Sequence, residues 1–176
     1  MFTLVIPEQE MYDEATNSIK HTRSYTMQLE HSLVSMSKWE AKWKKPFISP
    51  KDEQKTLEET IDYIKCMTIT QNVPAEAYNY LTQQNLIDIT KYINDPMTAT
   101  TVREMHKIGP REIVTSELIY YWMIANDIPF ECQKWHLNRL MMLIRVCGAK
   151  NAPGKKMAKN DILKQYAAAN AARRHH

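Results

Sequence analysis

The chain reads as mainly α: a compact multi-helix bundle over 32–148, a small N-terminal β-hairpin element within 1–30, and a basic, helix-prone C-terminal tail over 149–176. Three observations lead there. Only three glycines occur in 176 residues, too few for a turn-rich all-β sandwich. From Ser32 onward, apolar residues recur at the three- and four-residue spacing of amphipathic helices. The strongest apolar signal, Ile113–Cys147, is two near-continuous stretches broken by Asn126-Asp127-Ile128-Pro129, the pattern of a helical hairpin buried in the core. At this length a single domain, 1–148, followed by a tail is the default.

Taken in order, Phe2-Thr3-Leu4-Val5-Ile6 is β-prone and stopped by Pro7, and Tyr25-Thr26-Met27-Gln28-Leu29 alternates apolar and polar residues with period two. The turn-like Asp13–Asn17 region lies between them, so a hairpin or a three-strand element is expected. Two strands alone are marginal in water, and this element must pack on the helices or pair with another chain. Leu33, Met36, Trp39 and Trp43 predict one face of a helix that Pro46 ends. Phe47–Gln54 reads as a loop. Thr56-Leu57-Glu58-Glu59 is a capping box that opens a helix with Leu57, Ile61, Ile64 and Thr68 on one face, widened by Tyr63, Cys66 and Met67. Pro74 suits the start of a short helix carrying Tyr78, Tyr80 and Leu81, and Thr82 caps a helix with Leu86, Ile89 and Ile93 that ends at Asn94-Asp95-Pro96. Residues 97–110 have loop chemistry, with one turn expected at Val102–His106. The hairpin follows, and after Gly148 the composition shifts; Asp161–Arg174 has high helix propensity but a weak apolar face.

The net charge of +3 is unevenly placed, because residues 149–176 hold seven Lys/Arg against one acid while residues 1–148 hold sixteen against nineteen. Such a tail is a solvated end or a contact for an acidic partner or nucleic acid, and Lys155, Lys156, Arg173 and Arg174 are its candidate contacts. Trp39 and Trp43 share a helix face among Lys38, Lys42, Lys44 and Lys45. That face is either core or an exposed aromatic–lysine surface for single-stranded nucleic acid or a partner groove. Cys66, Cys132 and Cys147 are widely spaced within apolar patterns, as expected of buried thiols in a reducing compartment. No apolar run approaches the ~18 residues of a membrane span, and no leader segment is apparent at the N-terminus.

Enzyme chemistry would need a nucleophile beside a base, paired carboxylates, a metal shell or a phosphate cradle. The sequence has no GxxxxGK[ST], GxGxxG, GxSxG or HExxH. Cys132 and His136 could share a face but supply only half of a zinc shell, so His136 is expected to be a hydrogen-bonded interior polar residue, with no metal and no cofactor. Glu30-His31, Glu112 and Glu117 are read as structural groups at helix starts. Arg139 and Arg145 are boundary positions or partners of Glu117 or Glu131. Both hairpin helices are too apolar to read base edges, so no specific nucleic-acid recognition is expected.

Several ordered blocks, Leu29–Glu40, Ile61–Thr68, Asp95–Thr100, Glu112–Met123 and Pro129–Leu140, together resemble the tail assembly chaperones of long-tailed (siphovirus-type) bacteriophages of Gram-positive bacteria. The resemblance covers nearly the whole chain. It implies a non-enzymatic late protein of the infected cell's cytoplasm, absent from the finished virion, that binds the aggregation-prone tape measure protein and assists assembly of tail-tube subunits around it. The tail-tube protein is a second implied partner, and the unpaired N-terminal strands would suit a homo-oligomer. The alternative is a structural virion component, a head–tail connector or tail completion protein; a nucleic-acid-binding accessory protein is a third.

Overall fold

The computed structural model describes residues 1–13, 17–48, 55–100 and 113–151. The expected turn at Val102–His106 and the tail with Lys155, Lys156, Arg173 and Arg174 lie outside those residues. The described chain is mainly α, with a small β element, as its sequence predicts. Strands β1 (Phe2–Ile6), β2 (Glu10–Asp13), β3 (Ser18–His21) and β4 (Tyr25–Leu29) come first. Helices α1 (Leu33–Trp43), α2 (Leu57–Met67), α3 (Gln83–Asn94), α4 (Ser116–Ala125) and α5 (Leu137–Asn151) follow, with 3-10 helices at Ala75–Tyr80 and Phe130–Lys134.

The β element is one long hairpin in two ladders. Phe2 faces Leu29 in the β1–β4 ladder and Glu10 faces His21 in the β2–β3 ladder, the same register carried eight positions further along both strands. Pro7 cannot donate to a ladder, and the pairing breaks beside it before Thr22 N–H reaches the Gln9 carbonyl at 2.8 Å. The period-two pattern then decides which face is buried: Leu4, Ile6, Met27 and Leu29 point inward while Thr3, Val5, Thr26 and Gln28 face solvent. Both edges of the β1–β4 ladder are covered. Asn85 Nδ2 donates to the Val5 carbonyl on one side, and the chain leaving α2 lies along β4 on the other, where Ile69 N–H donates to Gln28 O and Glu30 N–H to Met67 O.

Helix α1 starts at an N-cap, Ser32, whose hydroxyl accepts from Ser35 N–H while Ser35 Oγ accepts from Ser32 N–H. It stops where Lys44 adopts a left-handed conformation two residues before Pro46. The Thr56–Glu59 capping box forms as predicted, and Thr82 caps α3 through Asn85. On α2, however, the buried face is Tyr63, Ile64 and Met67, and Leu57 is exposed. The helix is turned because Glu59 and Asp62 face α1, where Lys45 and Lys42 meet them.

Two apolar clusters form, and α1 contributes to both. Trp39 belongs to the first, with Leu4, Ile6, Met27 and Leu29 of the hairpin, Tyr63, Ile64 and Met67 of α2, and Ile89 of α3. Leu33 and Met36 belong to the second, with Ile119 and Met123 of α4 and Leu137, Leu140 and Ile144 of α5. The Ile113–Cys147 hairpin is therefore one wall of one cluster, and its first helix begins at Ser116, later than the apolar run suggests. Thr115 caps it, and the buried Glu40 carboxylate takes Ser116 N–H at 2.8 Å through one oxygen and Phe47 N–H at 2.8 Å through the other. An acid at the positive end of α4 thereby ties α1, the following loop and α4 together.

Replacing Glu40 by Ala leaves two inward-facing amides without an acceptor. Glu40→Ala should cost about 2–4 kcal/mol of unfolding free energy in urea, and Glu40→Gln, which keeps one carbonyl oxygen, clearly less.

Candidate interaction surface

The aromatic–lysine face of α1 is core. Trp39 is fully buried and donates its indole N–H to the Glu59 carbonyl at 3.0 Å, so it is withdrawn as a partner contact. Trp43 is half-buried, its ring stacked on Trp39 at 6.1 Å. The lysines are engaged too: Lys42 pairs with Asp62, Lys45 with Glu59, and Lys55 lies 4.1 Å from the Phe47 ring centroid while donating to the Phe47 carbonyl. The Lys42 ammonium holds Asp62 below the usual carboxylate range, and Lys45 does the same for Glu59. Acids on α2 neutralise what the sequence alone leaves as a basic stripe.

Polar side chains meet along the seam between the two clusters. His31, at the junction of β4 and α1, lies edge-on to His136, just before α5, with ring centroids 5.0 Å apart. Backbone joins them, since Leu137 N–H donates to the His31 carbonyl at 2.7 Å. Burial keeps the Tyr63 phenol protonated well above its ordinary range, and its hydroxyl is hydrogen-bonded to His31 Nδ1. His136 Nδ1 accepts from Asn138 N–H, so Nε2 carries the proton it gives to the Tyr92 carbonyl at 3.0 Å. The Tyr92 hydroxyl donates to Glu30, which also pairs with the N-terminal ammonium at 2.7 Å. His136 is thus a hydrogen-bonded interior residue. Among the described residues no three His, Cys, Asp or Glu side chains converge on a point that could hold a metal ion. Arg139, expected as a boundary residue or an ion-pair partner, lies over the Trp135 ring at 4.4 Å from its centroid.

Solvent meets apolar side chains in quantity on α4. Ser116, Ile119 and Met123 face the core, whereas Tyr121 is 62% and Ile124 61% exposed, with Leu118 half-buried beside them. Glu117 is the lone charge on that outward arc. Phe130, 52% exposed, joins the same side through its ring contact with Tyr120 at 6.3 Å, and Ile113 is exposed just before the helix. Several large apolar side chains exposed on one side of a helix make it the candidate contact surface of the described chain. It was hidden in the sequence by its own strength: a helix apolar all round reads as buried all round. Met27, Met36, Met67 and Met123 are fully buried and take no part in it. A shallow groove of about 610 Å3 along α3, lined by Leu86, Ile87, Thr90, Lys91 and Pro96 among others, brings no nucleophile beside a base.

The fold and its surface define a mainly helical, two-cluster scaffold that holds an apolar helix face to solvent. No family model, no curated protein and no solved structure matches the chain. Among the described residues no helix is long and apolar enough to cross a membrane.

The seam makes stability depend on pH. Burial pushes the His31 imidazole from 6.5 down to about 3, with His136 and Lys55 adding to the effect, and burial also lowers His136. The unfolded chain then binds protons that the folded chain refuses. Stability is complete above pH 6.5 and falls as the pH drops toward 3. At pH 5 the His31 contribution lost is about 2 kcal/mol. Urea unfolding at pH 7.5 and 5.0 measures it, and His31→Gln should flatten the dependence.

Proposed function

We propose that the chain is a tail assembly chaperone of a long-tailed bacteriophage: a non-enzymatic protein that shelters apolar helical segments of the tape measure protein in the cytoplasm of the infected cell while tail-tube subunits polymerise around it. Two supports converge on this reading, the ordered blocks that resemble that family and the outward face of α4. The second carries it. Leu118, Tyr121 and Ile124 put apolar side chains on the outward side of a helix whose opposite side is locked into a core, with Phe130 close by and Glu117 as the one charge on the arc. An amphipathic helix laid against it would bury its own apolar stripe without either partner unfolding.

A helix that packs on α4 must exchange water for side-chain contact, and each large apolar residue so covered contributes about 1.5–3 kcal/mol. A few such contacts suffice for a reversible complex, which a chaperone requires. The basic residues Lys155, Lys156, Arg173 and Arg174 would add long-range attraction to an acidic partner.

Co-expression with the tape measure protein of the same phage should render that protein soluble and co-purify it. The double variant Tyr121→Asp, Ile124→Asp should lose the effect with its thermal midpoint unchanged within a few degrees, because both side chains are mostly in solvent. Unchanged tape measure solubility in the presence of the wild-type chain would overturn the proposal. A stoichiometric ring of the protein in purified particles would favour a connector or completion protein instead.

A further inference from the structure

The distal ladder of the N-terminal hairpin is built unlike the proximal one. Beyond the anchor formed by Gln9, whose side-chain amide donates to the Tyr80 carbonyl at 2.9 Å, and the buried Thr22, β2 and β3 pack chiefly on each other. Tyr12 and Ile19 face each other across the ladder, yet each is 61% exposed. Both edges of the proximal ladder are covered by α3 and by the chain leaving α2, whereas β2 and β3 have no third strand beside them among the described residues. A two-stranded ribbon is marginal in water, and an uncovered edge is a template for another strand.

Charge decides which strand can come. The β2 side carries Glu8, Glu10 and Asp13; the β3 side carries Lys20, His21 and Arg23. Within one arm Glu10 and His21 lie 3.6 Å apart. Two copies related by a two-fold axis would set β2 against β2 or β3 against β3, acid on acid or base on base. The arrangement that opposes acid to base sets the β2 edge of one copy against the β3 edge of the next. Hairpins stacked in the same sense also alternate β2, β3, β2, β3, so every contact is antiparallel, as within the hairpin itself.

We infer that the distal arm, Glu10–Asp13 with Ser18–His21, is a self-assembly strand pair through which copies of this chain join head to tail, the acidic β2 edge of one on the basic β3 edge of the next. A heterologous contact of this kind closes into a ring or continues as an open array, and it does not stop at a dimer. Tyr12 and Ile19 of successive arms then lie along one face of a shared sheet, where each covers apolar surface that the single arm leaves in water. The inference is independent of the chaperone reading, which rests on α4.

Sedimentation velocity of the full chain at rising concentration tests it. The expected result is a series of species beyond the dimer at low salt that shrinks toward the monomer at high salt. Reversing one strand, Glu10→Lys with Asp13→Lys, or the other, Lys20→Glu with Arg23→Glu, should give monomers, and mixing the two variants in equal amounts should restore assembly. The four-fold swap keeps opposite charge within the arm, so it should assemble with itself, which shows that loss of assembly in the paired reversals is not loss of the arm. Near-ultraviolet circular dichroism verifies that all variants keep both cores. A wild-type chain that stays monomeric at low salt, a two-fold dimer as its only assembled form, or a four-fold swap that fails to assemble with itself would each overturn the inference.

Discussion

The structure turns on a seam at which backbone and imidazole act together. Leu137 N–H to His31 O joins the start of α5 to the start of α1, and the two histidine rings meet beside that bond. Tyr63 comes from α2 and Tyr92 from α3, so four helices and the end of β4 send a group to one place. Two apolar clusters could slide against each other if only hydrophobic contact joined them, since apolar contact has little directional preference. Hydrogen bonds in a low-dielectric interior have definite partners and are costly to leave unmade. The seam thereby sets the angle between the clusters, and Glu40, bridging α1 to the first turn of α4, sets it again from the other end of α1.

That arrangement explains where the surface is apolar. Because α1 lies between the clusters, it satisfies the hairpin on one side and α4 with α5 on the other. α4 needs only one side to be held, and its other side remains in solvent. The cost of leaving Tyr121 and Ile124 there is borne by the rest of the fold. The same logic applies to the arm: the proximal ladder is part of the first cluster, and the distal ladder extends past it with its apolar pair uncovered. Apolar exposure at two remote places, one helical and one extended, suits two different modes of association, side-chain packing on α4 and main-chain pairing at the arm.

The lysine-rich stretch of α1 illustrates how a charge pattern misleads when taken helix by helix. Lys42 and Lys45 read as a solvated or nucleic-acid-facing stripe until α2 places Asp62 and Glu59 against them. Trp39 reads as a candidate platform until the same two helices close over it. In each case the neighbour that changes the meaning is 14 to 20 positions away in the chain, and nothing local indicates it.

What the sequence by itself determined is what depends on near neighbours: the capping of α2 by Thr56 and of α3 by Thr82, the end of α1 before Pro46, the alternation that buries Leu4, Ile6, Met27 and Leu29, and the apolar spacing of Leu33, Met36 and Trp39. These follow from hydrogen bonds and side-chain periods a few residues long. Only the tertiary structure decided that α2 turns Leu57 out, that α4 is covered on one side, that the two histidines meet, and that the hairpin runs on past the first cluster as an arm. The physical reason is common to all four. Periodicity states that an element has an apolar face, but whether that face meets protein or water is settled by which other elements the chain brings beside it.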